Sequence, residues 1–525
     1  MGDCPSDVIV PIIFLPGIMG SRLKNKGEKI VWDPDDTSVM KIYATNSGSV
    51  PGPDLFRFRE KRNTRKAATR RKQLLIGPQG IFNKDYLKPI EFEETKNVKI
   101  EHAKRNWGSV YWGSYGPLLT RLNAIKNDVQ RRVQKENPKF HLKEMPVYAL
   151  GYNWSASNWD SGKYAAQKIK HWVGDAKERA QAIGAQCPGA ILITHSMGGL
   201  VARAASQIHG AQSDIFAVFH IAMPTDGAAA TYKRLHFGFE HPKSRLNPIG
   251  NIKNHLTYLA LGRQGEIVTA ILGHMPGGHE LLPNKHYRDN SGDKKWLSIR
   301  NPKRNPVGAV VDWATKTENI KLPNNDPYTE IYQKEDMMYR AANPEWLFPE
   351  GKTYIHPDKT MFDYFKINNL KAKAFHAKIA SADGFHEVTY LCYSGDAAFP
   401  TYDRVDWQSE KLAGGYGRSV TDANLKPYNS SDYHREHFFW GNEQDKEIKG
   451  RFLGSDFKIL PPQGNGDGTV PASAGKYAQI PESRKTRHSN NGYEHEPAAS
   501  SKIVFDWIEE TMAKVLSQCS LYPED

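Results

Sequence analysis

AILITHSMGGLVAR, residues Ala190 to Arg203, is the stretch on which the reading of this chain turns. Ala190, Ile191, Leu192 and Ile193 form a short apolar, β-branched run of the kind that makes a buried parallel strand. Thr194-His195-Ser196-Met197-Gly198-Gly199 reads as a tight turn, and Leu200, Val201, Ala204 and Ala205 follow at helical spacing. Ser196 is therefore predicted where a strand gives way to a helix, the geometry of a nucleophile elbow. The glycines permit that turn because a side chain there would collide with the strand or helix packed beside it. The N–H of Met197, the residue after the serine, becomes a candidate oxyanion donor, helped by the positive end of the helix dipole. The usual pattern is G-x-S-x-G, and Thr194 stands in its first position, so the stretch alone leaves a plain structural turn open.

A chain of 525 residues exceeds what one compact core holds, which predicts one large α/β unit with insertions or two to three domains. With 39% hydrophobic and 25% charged residues the chain is globular, and global disorder is excluded. The net charge of +13 favours an anionic partner: nucleic acid, an anionic membrane surface or an acidic protein. Cys4, Cys187, Cys392 and Cys519 are widely spaced without a C-x-x-C pair, which argues against a disulfide scaffold or a cysteine-ligated zinc site. Cys187 and Cys392 read as inert buried thiols. The apolar run Val8–Met19 is broken by Pro11 and Pro16 and reads as a strand and turn rather than a signal peptide. No run reaches the roughly 18 apolar residues of a membrane span. The expectation is a chain made in the cytoplasm, with any export to a membrane or the periplasm by a signal-independent route.

Val8–Leu15 is expected as the first strand, ending in the turn Pro16-Gly17-Ile18-Met19-Gly20-Ser21. The Ile18 N–H in that turn is the candidate second oxyanion donor. From about residue 33 to 108 periodicity is lost in an irregular basic insertion, which contains Arg57–Lys72, RFREKRNTRKAATRRK. That segment reads as a solvated loop; the sharper alternative is contact with an anionic membrane through Arg62, Arg65, Lys66, Arg70, Arg71 and Lys72. Pro117 suits a helix N1 position, followed by the apolar stripe Leu118, Leu122, Ile125, Val129 and Val133. Pro146–Leu150 reads as a strand, followed by a helix with Ala165, Ile169, Trp172, Val173, Ala176 and Ala180 on one face. Ile215–Ala222 closes a β–α–β–turn–α–β order that implies a parallel sheet with crossover helices. Residues 228–387 leave this alternation for short apolar helices such as Leu256–Leu272, and read as a large inserted cap or lid. The sheet is expected to return at Val388–Tyr393 and near Phe457–Leu460, before an amphipathic C-terminal helix. This divides the chain into 1–227 (first part of the core), 228–387 (cap) and 388–525 (second part of the core).

A serine nucleophile of this kind needs an acid and a histidine later in the chain. Asp467, between Gly466 and Gly468 after a strand, suits a carboxylate that holds a histidine tautomer, and His495 precedes the final helix, where its Nε2 can take the Ser196 proton. His488 is the alternative base. His195 is expected to be a packing or hydrogen-bonding residue of the elbow. His434-Arg435-Glu436-His437 lacks zincin spacing and reads as a polar turn, Gly277-Gly278 is no phosphate loop, and no nucleic-acid module signature occurs. No cofactor or metal is expected.

PIIFLPGIMGSRL, THSMGGLVAR, YLCYSGDAAFPTYD, GNGDGTVP and EHEPAASSKIVFDWI together resemble the lecithin:cholesterol acyltransferase-like lipases. The glycosylphosphatidylinositol-deacylase-like group is close, and bacterial type VI secretion phospholipase effectors have similar frameworks. The resemblance covers roughly residues 8–227 and 388–516 and leaves the cap unmatched. It implies an α/β-hydrolase fold, a mostly parallel sheet flanked by helices, with Ser196 as nucleophile, Asp467 as acid, His495 as base, and Ile18 and Met197 as backbone oxyanion donors. The expected activity is that of a serine lipase or phospholipase on membrane glycerophospholipids, as an antibacterial secreted effector with an immunity or secretion-carrier protein as partner. Transfer of the acyl group to an alcohol, and another ester deacylation, stay open, as does a polyanion-binding or partner-docking protein with a vestigial triad.

Overall fold

The computed structural model describes residues 7–40, 83–239, 265–303, 316–335, 337, 339–348, 359–380, 384–409, 448–452 and 455–518. Arg57–Lys72, with the six basic residues proposed for membrane contact, lies outside the described residues, as do His434–His437 and the first part of Leu256–Leu272.

The expected first strand is two strands, β1 (Asp7–Ile9) and β2 (Ile12–Leu15). Pro11 has no N–H to donate, so the ladder breaks there: β1 pairs with β6 (His141–Glu144), and β2 pairs with β7 (Val147–Ala149) on one side. A small antiparallel sheet joins β3 (Leu23–Asn25) and β4 (Ile30–Trp32), which precede the insertion, to β5 (Leu87–Pro89) within it. The helix expected to start at Pro117 starts earlier, as α1 (Trp112–Ala124), with Pro117 inside it, and α2 (Lys126–Val133) carries the stripe on. Its beginning is fixed from outside: the Asp35 carboxylate accepts from Trp112 N (2.6 Å) and Gly113 N (3.0 Å), which satisfies the first-turn N–H groups.

Next come α3 (Asn158–Ala182), β8 (Ala190–His195), α4 (Gly198–Gln207) and β9 (Ile215–Ile221). With β12 (Thr389–Ser394) and β18 (Lys485–His488), these strands form a six-stranded parallel sheet in the order β18-β12-β9-β8-β2-β7. Both faces are buried, as an all-parallel sheet requires. Ile13, Leu15 and Leu192 face a core that holds Ile169, Trp172 and Val173 of α3 and Leu200 and Val201 of α4. Ile12, Phe14, Ile191 and Ile193 face Leu118, Leu122, Val129 and Val133, together with Val504, Ile508 and Met512 of the C-terminal helix α9 (Lys502–Gln518).

The expected cap contains α5 (Ala229–Phe237), α6 (Gly265–Leu272), α7 (Pro276–His279), α8 (Met361–Ile379) and a hairpin of β10 (Leu297–Lys303) and β11 (Lys316–Leu322). The strand expected to rejoin the main sheet near Phe457–Leu460 is β16 (Ser455–Ile459), and it enters the sheet that contains this hairpin instead. The second sheet runs β11-β10-β14-β16-β15, with β14 (Val405–Ser409) and β15 (Ile448–Phe452), and so draws strands from both sides of residue 387. Within it Asp456-Phe457-Lys458-Ile459 alternates polar and apolar residues, the pattern of an antiparallel strand rather than of a fully buried parallel one, and its place is settled by β14, which lies parallel to β10 and antiparallel to β16.

Two buried side chains fasten α7 and α8 to the main core. Glu280 accepts from Ser157 Oγ and from Asn158 N (2.6 Å) at the start of α3. Arg203 of α4 donates to Gly384 O (2.7 Å) and to Ile379 O at the end of α8, with its guanidinium 3.9 Å from the centre of the Phe385 ring. Cys392 is fully buried and desolvation pushes its thiol up to about 12; Cys187 is partly buried and its thiol is likewise raised by desolvation.

Candidate active site

β8 ends at His195, and Ser196 takes φ +53°, a conformation that a non-glycine residue adopts only where the surroundings enforce it. The Ser196 N–H donates to Ile221 O on β9 (2.9 Å), and the Gly199 N–H closes the turn onto Ser196 O (3.0 Å). Gly198 is obligatory in this packing: a Cβ there would lie 2.5 Å from Pro16 O and 2.6 Å from Leu15 O. The elbow is therefore pressed against the end of β2, which brings the Pro16–Ser21 turn to Ser196.

His495 lies immediately before a short 3-10 turn, Glu496–Ser500, that leads into α9. Its Nε2 is 2.9 Å from Ser196 Oγ and its Nδ1 is 2.7 Å from Asp467 Oδ2. A carboxylate only accepts, so Nδ1 carries the proton and Nε2 is left to accept from the serine hydroxyl, the tautomer that proton abstraction requires. Asp467 is buried, and its other oxygen, Oδ1, accepts from Thr469 N (2.9 Å) and Val470 N (2.6 Å). Its loop is tied to the histidine loop by His495 N donating to Asp467 O (2.8 Å), and to β13 (Asp396–Thr401) by Gly468 N donating to Thr401 Oγ1 (2.8 Å).

The chain thus brings Ser196, Asp467 and His495 into one hydrogen-bonded line. Ile18 sits in a turn closed by Gly20 N donating to Gly17 O (3.0 Å), with Met19 at φ +63°. Met197 is buried at the start of α4. The donors that close these two turns are the Gly20 and Gly199 N–H groups, not those of Ile18 and Met197. His488 is elsewhere: it ends β18, in register with Ser394, and its carbonyl accepts from Gly395 N (2.8 Å). Gly277 packs against backbone, where a Cβ would lie 2.5 Å from Ala156 O, a packing role. Among the described residues no group of three or more His, Cys, Asp or Glu side chains is placed to hold a metal ion.

Two groups beside the site escape a reading of motifs. Burial raises the Glu496 carboxyl, the neighbour of His495, to about 7. Tyr115 reaches the elbow from α1, with its ring against Phe14 and its hydroxyl at Gly17 and His195. Only its burial-side position on α1 hints at this, since its partners are distant in sequence.

No family model and no curated protein matches the chain. Among solved structures, a chain of the Tle4–Tli4 complex superposes with a TM-score of 0.65, covering 98% of this chain and 99% of that chain at 21% identity. Phospholipase PlaB from Legionella pneumophila is matched over 68% of this chain and 78% of that chain at 11% identity, but a TM-score of 0.20 carries no structural argument. The six-stranded parallel sheet, its helices on both faces and the full-length superposition together show that this chain has an α/β-hydrolase fold, shared with a chain of the Tle4–Tli4 complex.

Proposed function

We propose that the protein is a serine esterase that cleaves acyl esters of membrane glycerophospholipids through an acyl-enzyme. The observation that carries this reading is the line Ser196 Oγ, His495 Nε2, His495 Nδ1, Asp467 Oδ2, with steps of 2.9 and 2.7 Å, on a strained strand–helix turn. In the proposed reaction Ser196 Oγ attacks the ester carbonyl as His495 takes its proton, and Asp467 stabilises the imidazolium. The developing oxyanion is received by the Ile18 and Met197 N–H groups. His495 then protonates the departing alkoxide, and water, deprotonated by His495, releases the fatty acid.

The lipid class rests on the resemblance of the site motifs to lipases of the lecithin:cholesterol acyltransferase type and to type VI phospholipase effectors. The structural neighbour is found as a Tle4–Tli4 complex. By that analogy we assign the chain a protein partner, an immunity or carrier protein, and the lipid class places its action at a membrane surface.

The test is lipid mass spectrometry after incubation with phosphatidylethanolamine–phosphatidylglycerol vesicles. The expected products are free fatty acid and lysophospholipid, both absent with Ser196→Ala. Headgroup release without fatty acid, or no change in phospholipid, overturns the substrate class.

A further inference from the structure

We propose that Tyr115 and His195 are positioning residues that lock the Ile18 turn and the His495 loop to one another beneath Ser196. This rests on the esterase reading above and adds to it a connection between the oxyanion donor and the general base.

Four groups form a chain in which each hydrogen bond has one possible direction. His195 Nε2 is 2.9 Å from the carbonyl oxygen of His495, which only accepts, so Nε2 carries the proton. Burial drives the His195 imidazole down to about 3, so at working pH it holds a single proton and Nδ1 is bare. Tyr115 Oη, 3.0 Å from Nδ1, must then donate to it. The remaining capacity of the phenol oxygen accepts the Gly17 N–H at 3.1 Å. Gly17, Tyr115, His195 and the His495 backbone are thereby linked without a gap, through two side chains that are both buried.

The Ile18 N–H inherits its direction from this chain. Pro16 C=O and Gly17 N–H belong to one planar peptide, and both polar atoms are held by buried tyrosines: Tyr152 Oη donates to Pro16 O at 2.8 Å, and Tyr115 accepts from Gly17 N. In the next peptide Gly17 O accepts from Gly20 N, and in a trans peptide the Ile18 N–H points opposite to that carbonyl. At the other end, the bond from His195 fixes the backbone of His495 while Asp467 fixes its ring. Space leaves little room for slack, since a Cβ on Gly17 would lie 3.0 Å from Ser196 Cβ and 3.2 Å from His195 Nδ1. A small displacement of either group from the reacting carbonyl costs rate rather than substrate affinity.

The experiment measures kcat and KM on a soluble short-chain ester, with active sites counted by phosphonate titration so that misfolded protein is not scored. Tyr115→Phe keeps the ring and is expected to lower kcat about tenfold per titrated site with KM within about twofold. His195→Leu is expected to lose more, and His195→Gln, whose amide N–H still reaches the His495 carbonyl, to recover most of it. The Tyr115→Phe/His195→Leu double variant should lose no more than His195→Leu alone, because one chain is broken once. Wild-type kcat per titrated site in Tyr115→Phe and His195→Leu, with only a lowered melting temperature, overturns the proposal; so do additive losses or equal rates for His195→Gln and His195→Leu. Turnover surviving in Ser196→Ala overturns the esterase reading itself, which keeps the two failures apart.

Discussion

Thr194 and His220 face each other across β8 and β9, with Thr194 Oγ1 2.7 Å from His220 Nδ1 and both residues buried. This contact explains how the elbow tolerates threonine where the usual pattern has glycine. The hydroxyl that would otherwise be stranded in the sheet has a partner on the next strand. Thr194→Val keeps the shape and removes the bond, leaving a ring nitrogen unpaired. The expected cost is about 1–3 kcal/mol in denaturant unfolding, with the fold kept. Unchanged stability would mean that the hydrogen bond is not what accommodates Thr194.

The two elbow glycines should differ. At Gly198 an added Cβ meets backbone oxygen atoms of Leu15 and Pro16 that cannot yield, whereas at Gly199 it meets the Met223 side chain, with Sδ at 2.5 Å. Gly198→Ala is expected to abolish soluble expression or cost more than 3 kcal/mol, and Gly199→Ala about 1–3 kcal/mol. Thermal unfolding of the two variants checks the order.

Stability should decline on both sides of about pH 6–7. Burial lowers the imidazoles of His195, His220 and His236 to about 3 and that of His376 to about 4. Unfolded histidines take up protons near 6.5 and these native ones do not, so stability is lost as pH falls below that value, by at most about 1.4 kcal/mol per pH unit for each ring. Glu280 acts in the opposite direction. Burial raises its carboxyl to about 8, so its native state is protonated where the unfolded one is ionised, and stability falls as pH rises from about 4.5 to 8. Glu280→Gln should remove that alkaline slope, narrowing the fall in melting temperature between pH 6 and 8.5 by about 2–4 °C. An identical pH profile for the two proteins would contradict it.

The two candidate bases separate cleanly. His495→Ala should reduce ester turnover by three or more orders of magnitude and add nothing to Ser196→Ala, because the two act as a unit. His488→Ala, at the end of β18, should leave kcat within about twofold. Kinetics of the single and double variants checks both statements, and the reverse ranking would move the base.

The elbow and its parallel strands were legible because they rest on local pattern, apolar runs and glycine turns, and chain order singled out the loops of Asp467 and His495, which the structure brings to Ser196. What was not legible depends on distant partners. The start of α1 is set by Asp35 from far upstream, so Pro117 was a misleading signal. β1 and β2 look like one strand until the missing Pro11 N–H is matched to its neighbours. β16 is placed in the second sheet by its pairing with β14, far upstream in the chain, and Tyr115 acquires its role only where α1 crosses the end of β2.

Whether Ser196 is an activated nucleophile is read out by covalent labelling with a fluorophosphonate followed by peptide mass spectrometry. One adduct is expected, on the peptide that carries Ser196, with labelling that is lost in Ser196→Ala and strongly slowed in His495→Ala and Asp467→Asn. An unlabelled Ser196 in folded protein, or an adduct that persists elsewhere with ester hydrolysis intact in Ser196→Ala, would contradict it.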